Sequence, residues 1–201
     1  MGLNPDPARG EPTDRRHVDA EIASRQPAPG TVSPTSPALT PDARPLTYLL
    51  PEQPDSLSRV LWRFDLNANE PPRVVARPPG GGDTEANVSK EEALRRERQR
   101  QRATGLTQVA RASKADLAVF PIQGDLYLQR GDGPLERLSE SPAPEIDPQL
   151  TADGAKLAYV RDGDLYALDL SSRRETRLTK GADDGLTHGL AEFIAQEELD
   201  R

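Results

Sequence analysis

No cysteine occurs in the 201 residues, which removes disulfides, thiolate metal ligands and cysteine nucleophiles together. Histidine is nearly as scarce: His17 and His188 are the two present, too few for an ordinary zinc centre, so neither a metal nor a cofactor is expected. Aromatic residues make up 4% and hydrophobic residues 34%, thin material for a core, so part of the chain is expected to stay unfolded. No apolar run approaches the roughly 20 residues of a membrane-spanning helix. The N-terminus lacks the basic start, apolar stretch and small-residue cleavage site of a secretory leader. Asp6 also stands where a myristoylation signal needs Ser or Thr. Together these absences give the expectation of a cytoplasmic protein without a membrane partner. No Gly-x-Ser-x-Gly elbow is present and His17 lies in a Pro-rich head, so no catalytic triad can be assembled from this chain.

What is present is charge, proline and glycine: 29% charged residues, a formal net charge of -7, 20 Pro and 15 Gly. The acidic balance argues against general polyanion binding, and no nucleic-acid partner is expected. Residues 1–36 read as a disordered Pro-rich segment, because prolines sit among Ser, Thr, Asp and Arg with too few aliphatic side chains to offset the entropy of ordering.

Beyond Pro37 the chain repeats itself. Leu39-Thr40-Pro41-Asp42-Ala43-Arg44-Pro45-Leu46-Thr47-Tyr48-Leu49 aligns without a gap on Leu150-Thr151-Ala152-Asp153-Gly154-Ala155-Lys156-Leu157-Ala158-Tyr159-Val160. Each stretch is a polar turn around Asp followed by an apolar strand, and Asp153-Gly154 supplies the positive φ of a tight hairpin. The segment from Val60 to Leu66 answers to that from Asp164 to Leu170, and Arg73-Val74 to Arg177-Leu178. A third copy lies between: Leu117-Ala118-Val119-Phe120, Gly124-Asp125-Leu126-Tyr127 and Arg137-Leu138 recur as Leu157-Ala158-Tyr159-Val160, Gly163-Asp164-Leu165-Tyr166 and Arg177-Leu178. Short alternating strands at a spacing of about 40 residues fit a four-stranded propeller blade. The expected fold is mainly β, an incomplete β-propeller of about three blades, with a short open meander or sandwich as the alternative. Ala43-Arg44-Pro45 replaces the expected Asp-Gly turn in the first blade and weakens its closure.

Two segments break the strand pattern. Within 89–105, Ser89 and Glu92 have capping-box spacing, and five arginines (Arg95, Arg96, Arg98, Arg100 and Arg102) crowd the far end, so a helical insertion is expected. It serves either as a solvated charged helix with Glu-to-Arg pairs or as a clamp for an anion or carbonyl. Within 187–201, Leu190, Phe193 and Ile194 place an apolar stripe on a short helix, and Glu197 and Glu198 follow. Adjacent carboxylates repel unless a cation lies between them, so the pair is either an inert acidic helix end or a receptor for a primary ammonium group, whose three N–H donors two carboxylates can share.

These two segments, in this order inside a propeller repeat, resemble the N-terminal propeller of the dipeptidyl peptidase IV family, within the prolyl oligopeptidase group of serine peptidases. AEFIAQEELDR looks like the family's double-glutamate helix, and SKEEALRRERQRQRATGL like its arginine-bearing insertion. The similarity covers 37–201. It implies that Glu197 and Glu198 grip the free α-amino group of a peptide, and that Arg100, with Arg98 and Arg102 as the other candidates, hydrogen-bonds a substrate carbonyl. Together they would measure the two residues of an N-terminal Xaa-Pro or Xaa-Ala dipeptide. The partners so implied are a peptide with a free N-terminus and either the catalytic domain or a second copy of the chain. In the family an aromatic strand, further blades and an α/β-hydrolase domain follow; here the sequence stops at Arg201, so the chain is expected to recognise substrate without cleaving it. The competing expectation is a stand-alone propeller-like protein-binding module.

Overall fold

The computed structural model describes residues 32–82, 93, 94, 97, 102–183 and 185–190, together with Ala20 and Ser24. Among them, three sheets carry the fold. The first blade is β1 (Thr35–Leu39), β2 (Pro45–Pro51), β3 (Ser58–Asp65) and β4 (Arg73–Ala76), with β5 (Thr104–Gly105) pairing parallel to the start of β3. The second is β6 (Ala110–Arg111), β7 (Leu117–Ile122), β8 (Asp125–Arg130) and β9 (Glu136–Arg137). The third is β10 (Glu145–Leu150), β11 (Lys156–Arg161), β12 (Asp164–Asp169) and β13 (Glu175–Arg177). Each is an antiparallel meander in sequence order, the blade of an incomplete β-propeller.

Alternation along the strands decides which face meets which blade. In blade 2, Phe120 and Ile122 face blade 1 and share a buried core with Leu49, Leu61, Ala76 and Leu106. Val119, Leu126 and Leu128 point the other way and pack with Leu157, Tyr159, Tyr166, Leu168 and Leu170 of blade 3. Blade 2 is therefore clamped on both faces. Each fully buried aliphatic side chain here is worth about 1.5–3 kcal/mol of transfer free energy.

A cross-strand aromatic pair marks the same place in every blade: Tyr48 opposite Trp62, Phe120 opposite Tyr127, and Tyr159 opposite Tyr166. The first and last are stacked, with centroids 6.5 and 5.7 Å apart. In blades 2 and 3 the pair faces the preceding blade. In blade 1 it lies on the outer face, half-buried.

Several expectations are corrected. The aromatic pairs show that Phe120, not Val119, is the counterpart of Tyr159, so strand β7 superposes on β11 one residue away from the expected alignment, while the match of Gly124-Asp125-Leu126-Tyr127 to Gly163-Asp164-Leu165-Tyr166 and the gapless match of residues 39–49 to 150–160 hold. The two-residue hairpins with two consecutive positive φ angles are Gln123-Gly124 and Asp162-Gly163. Asp153-Gly154 instead lies in a five-residue turn between β10 and β11. Blade 1 closes by that same turn despite lacking its glycine: Thr40 Oγ1 donates to Asp42 as Thr151 Oγ1 does to Asp153, and Ala43 takes the left-handed conformation of Gly154. Strand β1 opens at Thr35, inside the segment assigned to a disordered head, and Ala20 and Ser24 are helical; the rest of that segment lies outside the described residues. Ala93, Leu94 and Glu97 are helical and exposed, but Thr104 and Gly105, placed in the helical insertion, form a strand because the edge of β3 beyond β4 accepts them. Among the described residues no helix is long and apolar enough to cross a membrane.

Candidate functional site

The recognition residues expected from the sequence fall mostly on residues without a described position. Glu197, Glu198, Arg98 and Arg100 lie outside the described residues; Arg102 is described and is exposed, two residues before β5. What the structure does place is the root of each segment. At the exit of the arginine segment, Thr104 N–H donates to Leu57 O and Leu106 N–H to Arg59 O, both at 2.9 Å, fixing the chain against β3.

The glutamate segment is rooted on blade 3. His188 N–H donates to Gly163 O (2.7 Å), and its Nδ1–H donates to Asp164 Oδ1 (2.9 Å). Gly189 packs so closely that a β-carbon there would stand 2.9 Å from Val160 Cγ2. In the preceding repeat Glu145 N–H donates to Gly124 O in the same way and opens β10, so His188 occupies the position from which a new blade's first strand starts. Residues 187–190 are themselves not helical; the expected helix, if it begins after Leu190, falls on residues outside the described set.

Asp164 is almost fully buried, 1% exposed, and gathers three donors: Arg177 Nη2, Thr179 Oγ1 (2.9 Å) and His188. The Arg177 hydrogen bond leads in pulling its carboxyl down to about 2, against the opposing effect of burial. Thr179 Oγ1 also accepts from Leu165 N–H. Blade 2 repeats the clasp: Arg137 Nη2 donates to Asp125 Oδ2 (2.6 Å), and Ser139 Oγ accepts from Leu126 N–H (2.9 Å). The aspartate after each hairpin glycine thus ties the third strand to the fourth. Blade 1 has Val60 at this position and no such clasp. Sequence reasoning did not assign these residues, although Gly-Asp-Leu-Tyr followed by Arg-Leu-Ser or Arg-Leu-Thr is legible in both repeats.

Between blades 2 and 3 lies a second polar cluster. Glu145 is fully buried, accepts from Ser139 Oγ and from Arg161 Nη1 (3.3 Å), and burial pushes its carboxyl above the ordinary range. Arg161 also donates to Glu175 (2.6 Å) and lies 4.2 Å over the Tyr166 ring, while Tyr159 OH donates to Glu175. Burial, reinforced by Glu175, holds the Tyr159 hydroxyl far above its usual value. Every carboxylate of the cluster is matched by a donor. Among the described residues no group of three or more His, Asp or Glu is arranged to hold a metal ion.

Residues 106–201 match the model of the dipeptidyl peptidase IV (DPP IV) N-terminal region. The match takes in blades 2 and 3 and the glutamate segment; blade 1 and the arginine segment precede it.

Proposed function

Because residues 106–201 match the model of the dipeptidyl peptidase IV N-terminal region, we propose that this chain is the substrate-recognition part of a DPP IV-like serine exopeptidase. Its substrates are peptides with a free N-terminus carrying proline or alanine in second position, and hydrolysis belongs to a catalytic domain outside this sequence. Glu197 and Glu198 take the α-ammonium group, and Arg100, or its neighbours Arg98 and Arg102, takes a peptide carbonyl. The family match carries this reading. The rooting of residues 187–190 on Gly163 and Asp164 supports it, since carboxylates that measure a substrate's length need a fixed base.

The test is calorimetric titration of the chain with an Ala-Pro peptide and with its N-acetylated form. The free amine is expected to bind at least about 10-fold more tightly, because acetylation removes the charge and two of the three donors. Glu197→Gln with Glu198→Gln should erase that difference while leaving the unfolding midpoint in place. Equal affinity for the two peptides would refute the reading. No turnover of an Xaa-Pro chromogenic substrate is expected from this chain alone.

A second reading, a stand-alone propeller-like protein-binding module, is favoured by the stacked Tyr48 and Trp62 on the outer face of blade 1. Sedimentation separates the two: a discrete closed oligomer supports the module.

A further inference from the structure

We propose that the cleft between blades 1 and 2 is a binding site for one small monovalent anion, of chloride size, held by the Arg111 guanidinium. The register of the repeats singles this residue out. Arg111 pairs with Ala118, in the position where blade 1 pairs Leu39 with Leu46 and blade 3 pairs Leu150 with Leu157. Blade 2 alone places a cation at a position that is leucine in the other two. The side chain shares the face of Ala118 and of its register partner Gln129, whose Nε2 donates to Val75 O of blade 1 at 2.7 Å. It therefore enters the space between the two sheets.

There Nη2 is buried and has no hydrogen-bond partner among the described residues. It lines a cleft of about 30 Å³ together with Thr47, Leu61, Arg63, Asp116 and Gln129. A space of that size takes one small ion or about two waters, and excludes phosphate esters and peptides. The local charges decide between ion and water. Arg63 lies between Asp116 (2.9 Å) and Asp132 (3.0 Å), and Arg73 also pairs with Asp132. Among the described residues these two cations and two carboxylates balance, which leaves Arg111 as the surplus positive charge of the cleft. Burial pushes Arg111 down to about 10, so it is still charged at neutral pH. Water would satisfy the N–H but leave the charge uncompensated, whereas one monovalent anion answers both, and buried charges are rarely left without a counter-charge. The site is independent of the peptide-recognition reading.

The experiment is thermal unfolding of the full chain in sodium chloride against sodium gluconate at equal ionic strength. Chloride is expected to raise the midpoint by about 2–4 °C through preferential binding to the folded state. Arg111→Leu, which restores the residue of the other repeats, should abolish the difference and unfold at or above the wild-type midpoint in gluconate. In parallel, the wild-type chain should broaden the ³⁵Cl resonance of sodium chloride, and neither Arg111→Leu nor Arg111→Gln should do so. No chloride effect on the wild type, the outcome for a cleft that holds only water, overturns the proposal. So does an equal effect on the variants, the outcome for a general salt effect.

Discussion

Gly154→Ala tests the claim that blades 1 and 3 are built on the same turn and that blade 3 packs against blade 2 through it. Gly154 has φ +71°, and a β-carbon there would stand 2.1 Å from Leu117 Cδ1. A left-handed backbone costs a non-glycine residue about 1–2 kcal/mol. Leu117, which flanks the core between blades 2 and 3, must also swing aside, an overpacking cost of about 1–3 kcal/mol. The sum is about 2–5 kcal/mol, and each kcal/mol lowers the midpoint of a chain this size by about 2–4 °C. Thermal and urea unfolding measure it, and a cycle with Leu117→Ala separates the steric part from the backbone part. The reciprocal change is Ala43→Gly, at φ 55° in blade 1. It relieves about 1–2 kcal/mol of strain and adds about 0.4–1 kcal/mol of unfolded-chain entropy, so it should be neutral to stabilising. If Gly154→Ala shifted stability by less than about 0.5 kcal/mol, or Ala43→Gly destabilised as much as Gly154→Ala, the shared turn would not be the structural unit described.

The other predictions concern the buried charges. Asp164 has its carboxyl held at about 2, below the ordinary 3.8, so its contribution to stability is complete above pH 3.8 and is lost as pH falls toward 2. Urea midpoints between pH 2 and 6 should show that acid limb, and Asp164→Asn should remove it. Glu145 is raised instead, so its contribution is present below the ordinary 4.5 and declines as pH rises through the folded value. Glu145→Gln should leave stability at neutral pH unchanged or higher, since Arg161 keeps Glu175; a loss above about 1 kcal/mol in chemical denaturation would contradict this. His188→Ala should speed amide hydrogen exchange at residues 187–190 while leaving β11 and β12 protected, and unchanged exchange would mean that the imidazole does not anchor the segment.

The β class, the three repeats and the polar turn around Asp42 and Asp153 could be read without coordinates, because strand alternation and turn chemistry are local properties of a few consecutive residues; which glycines close the two-residue hairpins could not. The match of residues 39–49 to 150–160 held to the atom, down to the Thr-to-Asp hydrogen bond in each turn. Blade 1 closed without its glycine because the surrounding bonds hold Ala43 in a conformation that composition alone disfavours. The glutamate pair and the arginines were legible as chemistry by their types and spacing, but which carboxylate or guanidinium meets a ligand depends on where the segments lie.

By itself, then, the sequence determined a chain of short alternating strands repeated three times, with two charged segments set among them. Tertiary structure alone decided the one-residue offset of β7 against β11, the clasps that bury Asp125 and Asp164, and the insertion of Arg111 between two sheets at a position filled by leucine elsewhere. The physical reason is that period-two alternation is written in neighbouring residues, whereas register and burial come from contacts between strands far apart in the chain, where one residue's shift exchanges the two faces of a sheet.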